Sequence, residues 1–541
     1  MTHSSNTYDR VPYDSYPYAQ SHPRHLASIG RLKGLKTRDL SRARILELGC
    51  SSGGNLLPLA EQMPGSVCIG IDGSRTQVEL GLQTLRESEL EGVTLRHEDI
   101  RSFNCNVEPF DFILVHGVYS WVPDDVQEKI FEICDRTLAS DGIAYISYNT
   151  YPGWRLRGMI RDLMMYRASF FDTPETKLRE GLALIDFLAK AVPTENNAYG
   201  MLLTRELESL RPKADSYLIH EHLEENNRPE YFHEFIQRAE RHGLQYLAEA
   251  DYSTMAASNF PAEIERTLRN LSADSSAAGA DVIQMEQYMD FVRNRMFRQT
   301  LLCRKSAAID HNPPAERVFD LFVRTNAEPE NPPVHPLQPG RVTFRRRNST
   351  LTTSEPLVKA AMLVLREEWP RLVPFRELLA AARARLQPGA RVVDAAVATE
   401  EARSLARVLL QCFSTDHIDF SASPLPFSLD IEPTPSATRL ARHQARSGGP
   451  VTNLVHEMVR LNDVERKVLS WLDGAHDRDR LVGRLSEEVT AGRLVVQDGG
   501  RQVEERARIV GILEELLDDT LKSIARKGLL IRPSQPGMRP H

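Results

Sequence analysis

One stretch of this 541-residue chain combines residue types and spacing that suit nucleotide chemistry: Ile45-Leu46-Glu47-Leu48-Gly49-Cys50-Ser51-Ser52-Gly53-Gly54-Asn55. A short apolar strand enters a turn of small residues ahead of an apolar helix, which lets backbone approach a ligand closely. Downstream, Val67-Cys68-Ile69-Gly70-Ile71-Asp72 reads as a second strand ending in an acid. The interval from Gly49 to Asp72 suits a carboxylate that grips a ribose. The turn lacks the G-x-G-x-x-G spacing that seats a pyrophosphate on a helix N-terminus, which argues against a dinucleotide oxidoreductase.

Groups of this kind must be held at strand ends, and the chain supplies the strands. Residues 93–97, 110–115 and 142–148 continue the apolar pattern, with helical stretches between them. The third strand ends at Glu98-Asp99-Ile100. The fourth opens into His116-Gly117-Val118-Tyr119-Ser120-Trp121, and the fifth into Asn149-Thr150-Tyr151-Pro152-Gly153-Trp154. Such a βα repeat predicts a parallel sheet in an α/β, Rossmann-like fold. Two further strand candidates, 244–249 and 297–303, flank a helical pattern at 285–294, so seven strands and a first domain over residues 1–305 are expected. Residues 155–240 then form an insertion between strands five and six, rich in helix formers and broken at Pro174, Pro193, Pro212 and Pro229. That position suits a lid or substrate-recognition element.

The order of these parts resembles the class I S-adenosylmethionine-dependent methyltransferases. The resemblance implies that Gly49 and Gly53 let the backbone approach the methionine moiety, that Glu47 helps to orient it, and that Asp72 binds the ribose hydroxyls. It also implies that Asp99 and Ile100 border the adenine and that His116 to Tyr119 lie beneath the sulfonium. Ser51 departs from the pattern, since many members carry glycine there, but it is still small. More narrowly, residues 13–23, the ILELGCSSGGN turn, and residues 116–123, 147–154 and 217–235 resemble bacterial methyltransferases carrying a methyltransferase regulatory domain. That group includes rickettsial protein-lysine methyltransferases, and the resemblance covers nearly the whole chain.

Methyl transfer from a sulfonium is an in-line displacement, so catalysis rests on holding nucleophile, methyl and sulfur collinear in a dry pocket. A lysine amine must first lose its proton, which from a reference pKa near 10.4 costs about 4.6 kcal/mol at pH 7. Burial beside carbonyls or aromatic faces can largely remove that cost. Tyr119, Trp121, Tyr148, Asn149, Tyr151 and Trp154 are expected to line such a channel, with aromatic faces for the alkyl stem. His116, Tyr119, Asn149 and Tyr151 are the catalytic candidates; Asn149 or the His116 carbonyl would orient the amine. Trp121, Tyr148 and Trp154 are the substrate-binding candidates. Enzymes that methylate base or glutamine amines carry an Asn/Asp-Pro-Pro-Tyr/Phe turn where this chain has His116-Gly117-Val118-Tyr119, which disfavours those acceptors. Protein lysine is the expected acceptor. A small-molecule acceptor is the alternative, and a third reading is a regulatory or docking protein that binds the cofactor without turnover.

His220, His222 and His233, with several nearby carboxylates, invite a metal reading. Two-residue spacing turns His220 and His222 apart on a helix, however, and the i, i+4 pair of a zinc helix is absent. No metal is expected; the segment reads as hydrogen-bonded and packed on the active-site mouth, with His220 and Glu221 as its candidate substrate contacts. The tyrosine- and proline-rich residues 11–23 read either as a flap closing over cofactor or substrate, or as an arm along the sheet edge.

A net charge of −7 argues against a protein that coats nucleic acid, and Arg345-Arg346-Arg347 reads as a solvated strand end. Six cysteines without a CxxC pair suit reduced core residues of a cytoplasmic protein. No stretch approaches 18 apolar residues and the N-terminus has no apolar core, so neither membrane spanning nor export is expected. Residues 306–425 and 450–541 read as two further α+β units of winged-helix-like pattern, separated by a Pro-, Ser- and Gly-rich break. The acidic balance favours protein docking over DNA binding for both.

Overall fold

The computed structural model describes residues 7–13, 15–273, 280–387, 399–498, 501–503 and 505–532. Seven strands build its main sheet: β1 (Arg44–Leu48), β2 (Val67–Asp72), β3 (Val93–His97), β4 (Phe110–Val115), β5 (Leu138–Asn149), β6 (Leu244–Glu249) and β7 (Phe297–Arg304). Their order is β3-β2-β1-β4-β5-β7-β6. The first five pair in parallel, and β7 lies antiparallel between β5 and β6. The expected seven-stranded α/β sheet is therefore present. Strand order reverses between β1 and β4, and open α/β sheets bind ligands in the crevice outside the carboxyl ends at such a switch.

Alternation along the central strands sorts their side chains between two cores. Ile45, Phe112, Leu114, Ile143 and Tyr145 face one side; Leu46, Leu48, Ile113, Ala144, Ile146 and Tyr148 face the other. On the first side the helix Pro23–Lys33 buries Leu26, Ala27, Ile29 and Leu32. On the second side the helices Asp124–Thr137 and Phe232–Arg241 bury Ile130, Phe131, Phe235 and Ile236. Asp124 and Asp125 in the first turn of their helix complement its dipole.

Ahead of the helix Phe232–Arg241, the insertion folds as four helices, Trp154–Ala168, Pro174–Ala191, Ala198–Leu210 and Asp215–His222. Thr173 and Asn197 cap two of them through their side chains, and Ile160, Met164, Leu178, Ile185 and Leu203 form a separate small core.

Beyond β7, the helices Pro356–Glu367, Phe375–Leu386 and Glu400–Ser414 accompany a small sheet of Phe322–Arg324, Val373–Pro374 and Asp419–Ser421. This unit is continuous with the first core, and Arg31 Nη1 donates to the Ala422 carbonyl at 2.9 Å. The arginine run 345–347 is not the wholly solvated strand end that its charge suggests. In the hairpin Val342–Arg346 and Ser349–Thr353, alternation turns Arg346 inward, where it is 5% exposed and meets Asp419 at 2.9 Å. Only Arg345 and Arg347 are solvated.

The last unit comprises the helices Arg439–Ser447, Asp463–Trp471, Arg478–Thr490 and Arg506–Arg526 with two short hairpins around a core of its own. All six cysteines are buried and unpaired. Among the described residues no helix is long and apolar enough to cross a membrane.

Candidate active site

The turn after β1 is held by backbone. Gly49 and Cys50 both donate their amides to the Ile71 carbonyl, at 2.8 and 3.0 Å. Gly49 and Gly53 adopt φ of 74° and 80°, and a Cβ on Gly49 would lie 2.3 Å from Val118 Cγ2. Ser51 also sits at positive φ, 50°, so the conformation that glycine favours is kept here by a serine. Its amide donates to Asp72 Oδ2 at 2.8 Å, and Ser74 N donates to Asp72 Oδ1 at 2.8 Å. Asp72 is thereby fixed at the end of β2, and burial raises its pKa above the ordinary carboxylate value.

Glu47, 3% exposed, lies on the crevice floor. Asn55 Nδ2 donates to Glu47 Oε1 at 2.8 Å, while Oε2 is buried with no hydrogen-bond partner among the described residues. Burial pushes this carboxyl up to about 8. A buried acceptor without a donor is costly unless a ligand supplies one, and the α-ammonium of a bound methionine moiety is suitable. Further along the crevice, Asp99 is exposed and accepts Arg101 N at 2.8 Å, whereas Ile100 is buried.

At the end of β4, His116 Nδ1 meets the Tyr145 hydroxyl at 2.8 Å, and the Gly117 amide donates to Ser147 Oγ at 2.8 Å. Burial lowers the His116 pKa to about 4, so the imidazole is neutral at pH 7. Asn149, 3% exposed, donates its backbone amide to Ser120 Oγ at 2.8 Å. Its Nδ2 is buried without a partner among the described residues.

The expected aromatic channel is revised. Tyr119 and Tyr148 lie in the second core, with rings 5.2 and 4.1 Å from that of Phe235. Strand alternation is the reason for Tyr148, since it points opposite to Ser147 and Asn149. Trp121 and Trp154 meet edge to face at 6.2 Å near the strand tips, and the Arg155 guanidinium lies 4.1 Å from the Tyr151 ring.

The N-terminal arm crosses the crevice. Asp9 accepts Ser74 Oγ at 2.6 Å, Gly54 N donates to Ser15 Oγ at 2.8 Å, and Tyr18 N donates to Asn55 Oδ1 at 2.9 Å. Tyr18 also lays its ring on His116. The arm thus closes over the site in the manner of a flap. His220 is 2.8 Å from the Val11 carbonyl and 2.9 Å from Glu224, and Glu221 pairs with Arg157 at 3.5 Å. His220 joins the insertion to the N-terminal arm, Glu221 ties two helices of the insertion together, and no metal-holding cluster occurs among the described residues. Tyr18, Tyr145 and Asn55 are site neighbours that the motifs alone did not single out. Tyr145 carried a signal nonetheless, because it shares strand parity with Asn149.

Against known proteins, a methyltransferase domain matches residues 45–142 and a predicted methyltransferase regulatory domain matches residues 214–304. The C-terminal winged helix domain of PKMT matches residues 434–529. The uncharacterized protein RP789 of Rickettsia prowazekii is 32% identical over 536 residues, 97% of this chain and 94% of that one. This chain belongs to that methyltransferase family. It is an S-adenosylmethionine-dependent methyltransferase with a regulatory domain and a PKMT-type winged helix domain. RP028 of the same organism is 39% identical over 241 residues, 44% of this chain and 96% of that one. The solved structure of PKMT2 from Rickettsia typhi in complex with AdoHcy is similar with a TM-score of 0.82 and 28% identity, covering 96% of this methyltransferase and all of PKMT2. The regulatory-domain match contains β6 and β7, so in this methyltransferase that region completes the catalytic sheet.

Proposed function

We propose that this methyltransferase modifies lysine side chains of a protein. The observation that carries the reading is whole-length similarity to PKMT2, which extends through the accessory units as well as the catalytic sheet. In this reading Glu47 Oε2 receives the methionine ammonium, and the positive-φ backbone at Gly49 and Gly53 leaves room for that moiety. Asp72 holds the ribose, Asp99 and Ile100 flank the adenine, and His116 lies beneath the sulfonium.

The cofactor supplies a methyl group already activated on a sulfonium. The chain's task is placement and exclusion of water. A neutral His116 adds no positive charge beside the sulfonium site. An imidazole whose conjugate acid has a pKa of about 4 is also too weak to take a lysine proton, so the amine enters by losing it to solvent. In this reading Asn149 orients the amine through its side-chain amide, and Tyr151, Trp121 and Trp154 supply aromatic walls for the stem.

The test is incubation with methyl-labelled S-adenosylmethionine and cell extract, followed by division of label between protein and soluble fractions. Label in discrete proteins, absent with Asp72→Ala, supports the proposal. Label confined to small molecules overturns the acceptor assignment, and none in either fraction overturns turnover.

A further inference from the structure

The helix Leu57–Gln62, which follows the glycine turn, is covered by the C-terminal winged helix unit. Glu61 accepts the backbone amides of Arg439 and Leu440 at 2.7 and 3.0 Å, at the start of the helix Arg439–Ser447. Gln62 Nε2 donates to the Asn453 carbonyl at 3.0 Å. From the same region His456, 1% exposed and at φ 65°, reaches the catalytic sheet from the turn between Val451–Thr452 and Met458–Val459. Its Nε2 is 2.9 Å from Asn55 Oδ1, and its Nδ1 is 3.2 Å from Gln62 Oε1.

Other contacts fix the orientation of both amides. Asn55 Nδ2 donates to Glu47 Oε1, and Asn55 Oδ1 accepts Tyr18 N, at 2.8 and 2.9 Å. Gln62 Oε1 also faces His22 Nε2 at 2.9 Å. His456 thus confronts two carbonyl oxygens, and a neutral imidazole donates from one nitrogen only. The shorter contact puts that proton on Nε2, toward Asn55. The turn that carries His456 is braced in its own domain, where Asn453 Oδ1 accepts Val455 N at 3.0 Å and Glu457 N at 2.9 Å, and Asn453 Nδ2 donates to the Lys527 carbonyl at 3.0 Å. A continuous buried chain therefore runs from the winged helix unit through His456 and Asn55 to Glu47.

We infer that His456 is a positioning residue for the cofactor: the C-terminal unit sets Asn55, and through it the Glu47 carboxylate, in the geometry that receives the methionine ammonium. This rests on the cofactor reading of Glu47 given above. The winged helix unit is then a structural part of the cofactor site as well as an accessory domain. An aliphatic residue at 456 removes one of three donors around Asn55 Oδ1, leaving Tyr18 N at 2.9 Å and Ser21 Oγ at 3.2 Å, and loosens the amide that orients Glu47.

The test uses the full chain and calorimetric titration with S-adenosylhomocysteine, with circular dichroism and melting to confirm folding. His456→Leu is expected to weaken binding about tenfold, the effect of one buried hydrogen bond, and to leave the KM for the methyl acceptor unchanged. His456→Gln, which places an amide N–H near the position of Nε2, is expected to recover most of the affinity. Glu61→Gln loosens the same interface without touching the chain of contacts, and should change affinity less than about twofold. Equal weakening by Glu61→Gln and His456→Leu, no rescue by His456→Gln, or unchanged affinity in His456→Leu would each overturn the inference. Full-strength binding by Glu47→Gln would instead show that the cofactor reading of Glu47 is at fault, separating the two failures.

Discussion

The phenol ring of Tyr18 lies against the imidazole of His116, with centroids 3.6 Å apart and planes 30° from parallel. The arm is thereby joined to the residue at the end of β4 that faces the proposed reacting centre. An aromatic contact of this kind contributes about 0.5–1.5 kcal/mol, so Tyr18→Ala is expected to lower cofactor affinity roughly three- to tenfold. Tyr18→Phe keeps the ring and should bind within about twofold of wild type. Titration calorimetry on the pair checks this, and equal loss in both would assign the effect to the hydroxyl.

Gly54 provides a way to move the arm without altering any ring. A Cβ there would lie 2.3 Å from the Ser15 carbonyl oxygen, a backbone atom that cannot swing aside. Gly54→Ala should displace the arm, with faster proteolytic cleavage within residues 7–20 and an unchanged melting profile for the rest of the chain. Protection as strong as in wild type would show that the arm is held mainly by its other contacts.

Glu47 predicts opposite effects of one substitution on stability and on binding. Its folded pKa, about 8, is above the ordinary value of 4.5, so its stabilising contribution is fully present below 4.5 and is lost as pH rises through 8. Glu47→Gln has no such loss, and its melting temperature should exceed that of wild type by an amount that grows over that window. Cofactor binding requires the carboxylate, so wild-type affinity should rise toward pH 8 with proton release on binding, and the glutamine variant should bind weakly throughout. Buffer-dependent heats of titration measure the release; their absence in wild type would contradict a protonated Glu47.

Behind the strand tips, Arg298 is fully buried and contacts Glu249, Asp290 and Glu286 at 2.7, 2.8 and 3.1 Å. Arg298→Met leaves three carboxyl groups without their main cation, an expected loss of about 3–5 kcal/mol. The urea midpoint of the catalytic domain should fall accordingly, and an unchanged midpoint would mean that the carboxyl groups simply take up protons at little cost.

The features legible in the sequence were those set by local pattern. Val67 to Asp72 and Phe297 to Cys303 announced strands by apolar alternation, and Gly49 with Gly53 announced the turn. Parity within β5 is equally legible: Tyr145, Ser147 and Asn149 share a face, which sends Tyr148 to the core. The same alternation buries Arg346 between two solvated arginines. The contact of Asn55 with His456 was out of reach, because 401 residues separate them and neither lies in a motif that points to the other.

Locating the transferred methyl group decides whether protein lysine is the acceptor. After reaction with methyl-labelled S-adenosylmethionine and cell extract, labelled proteins are digested and the modified atom is assigned by tandem mass spectrometry. Lysine methylation places label on lysine Nζ, abolished by Asp72→Ala. Label on another side chain, or only in soluble small molecules, would contradict it.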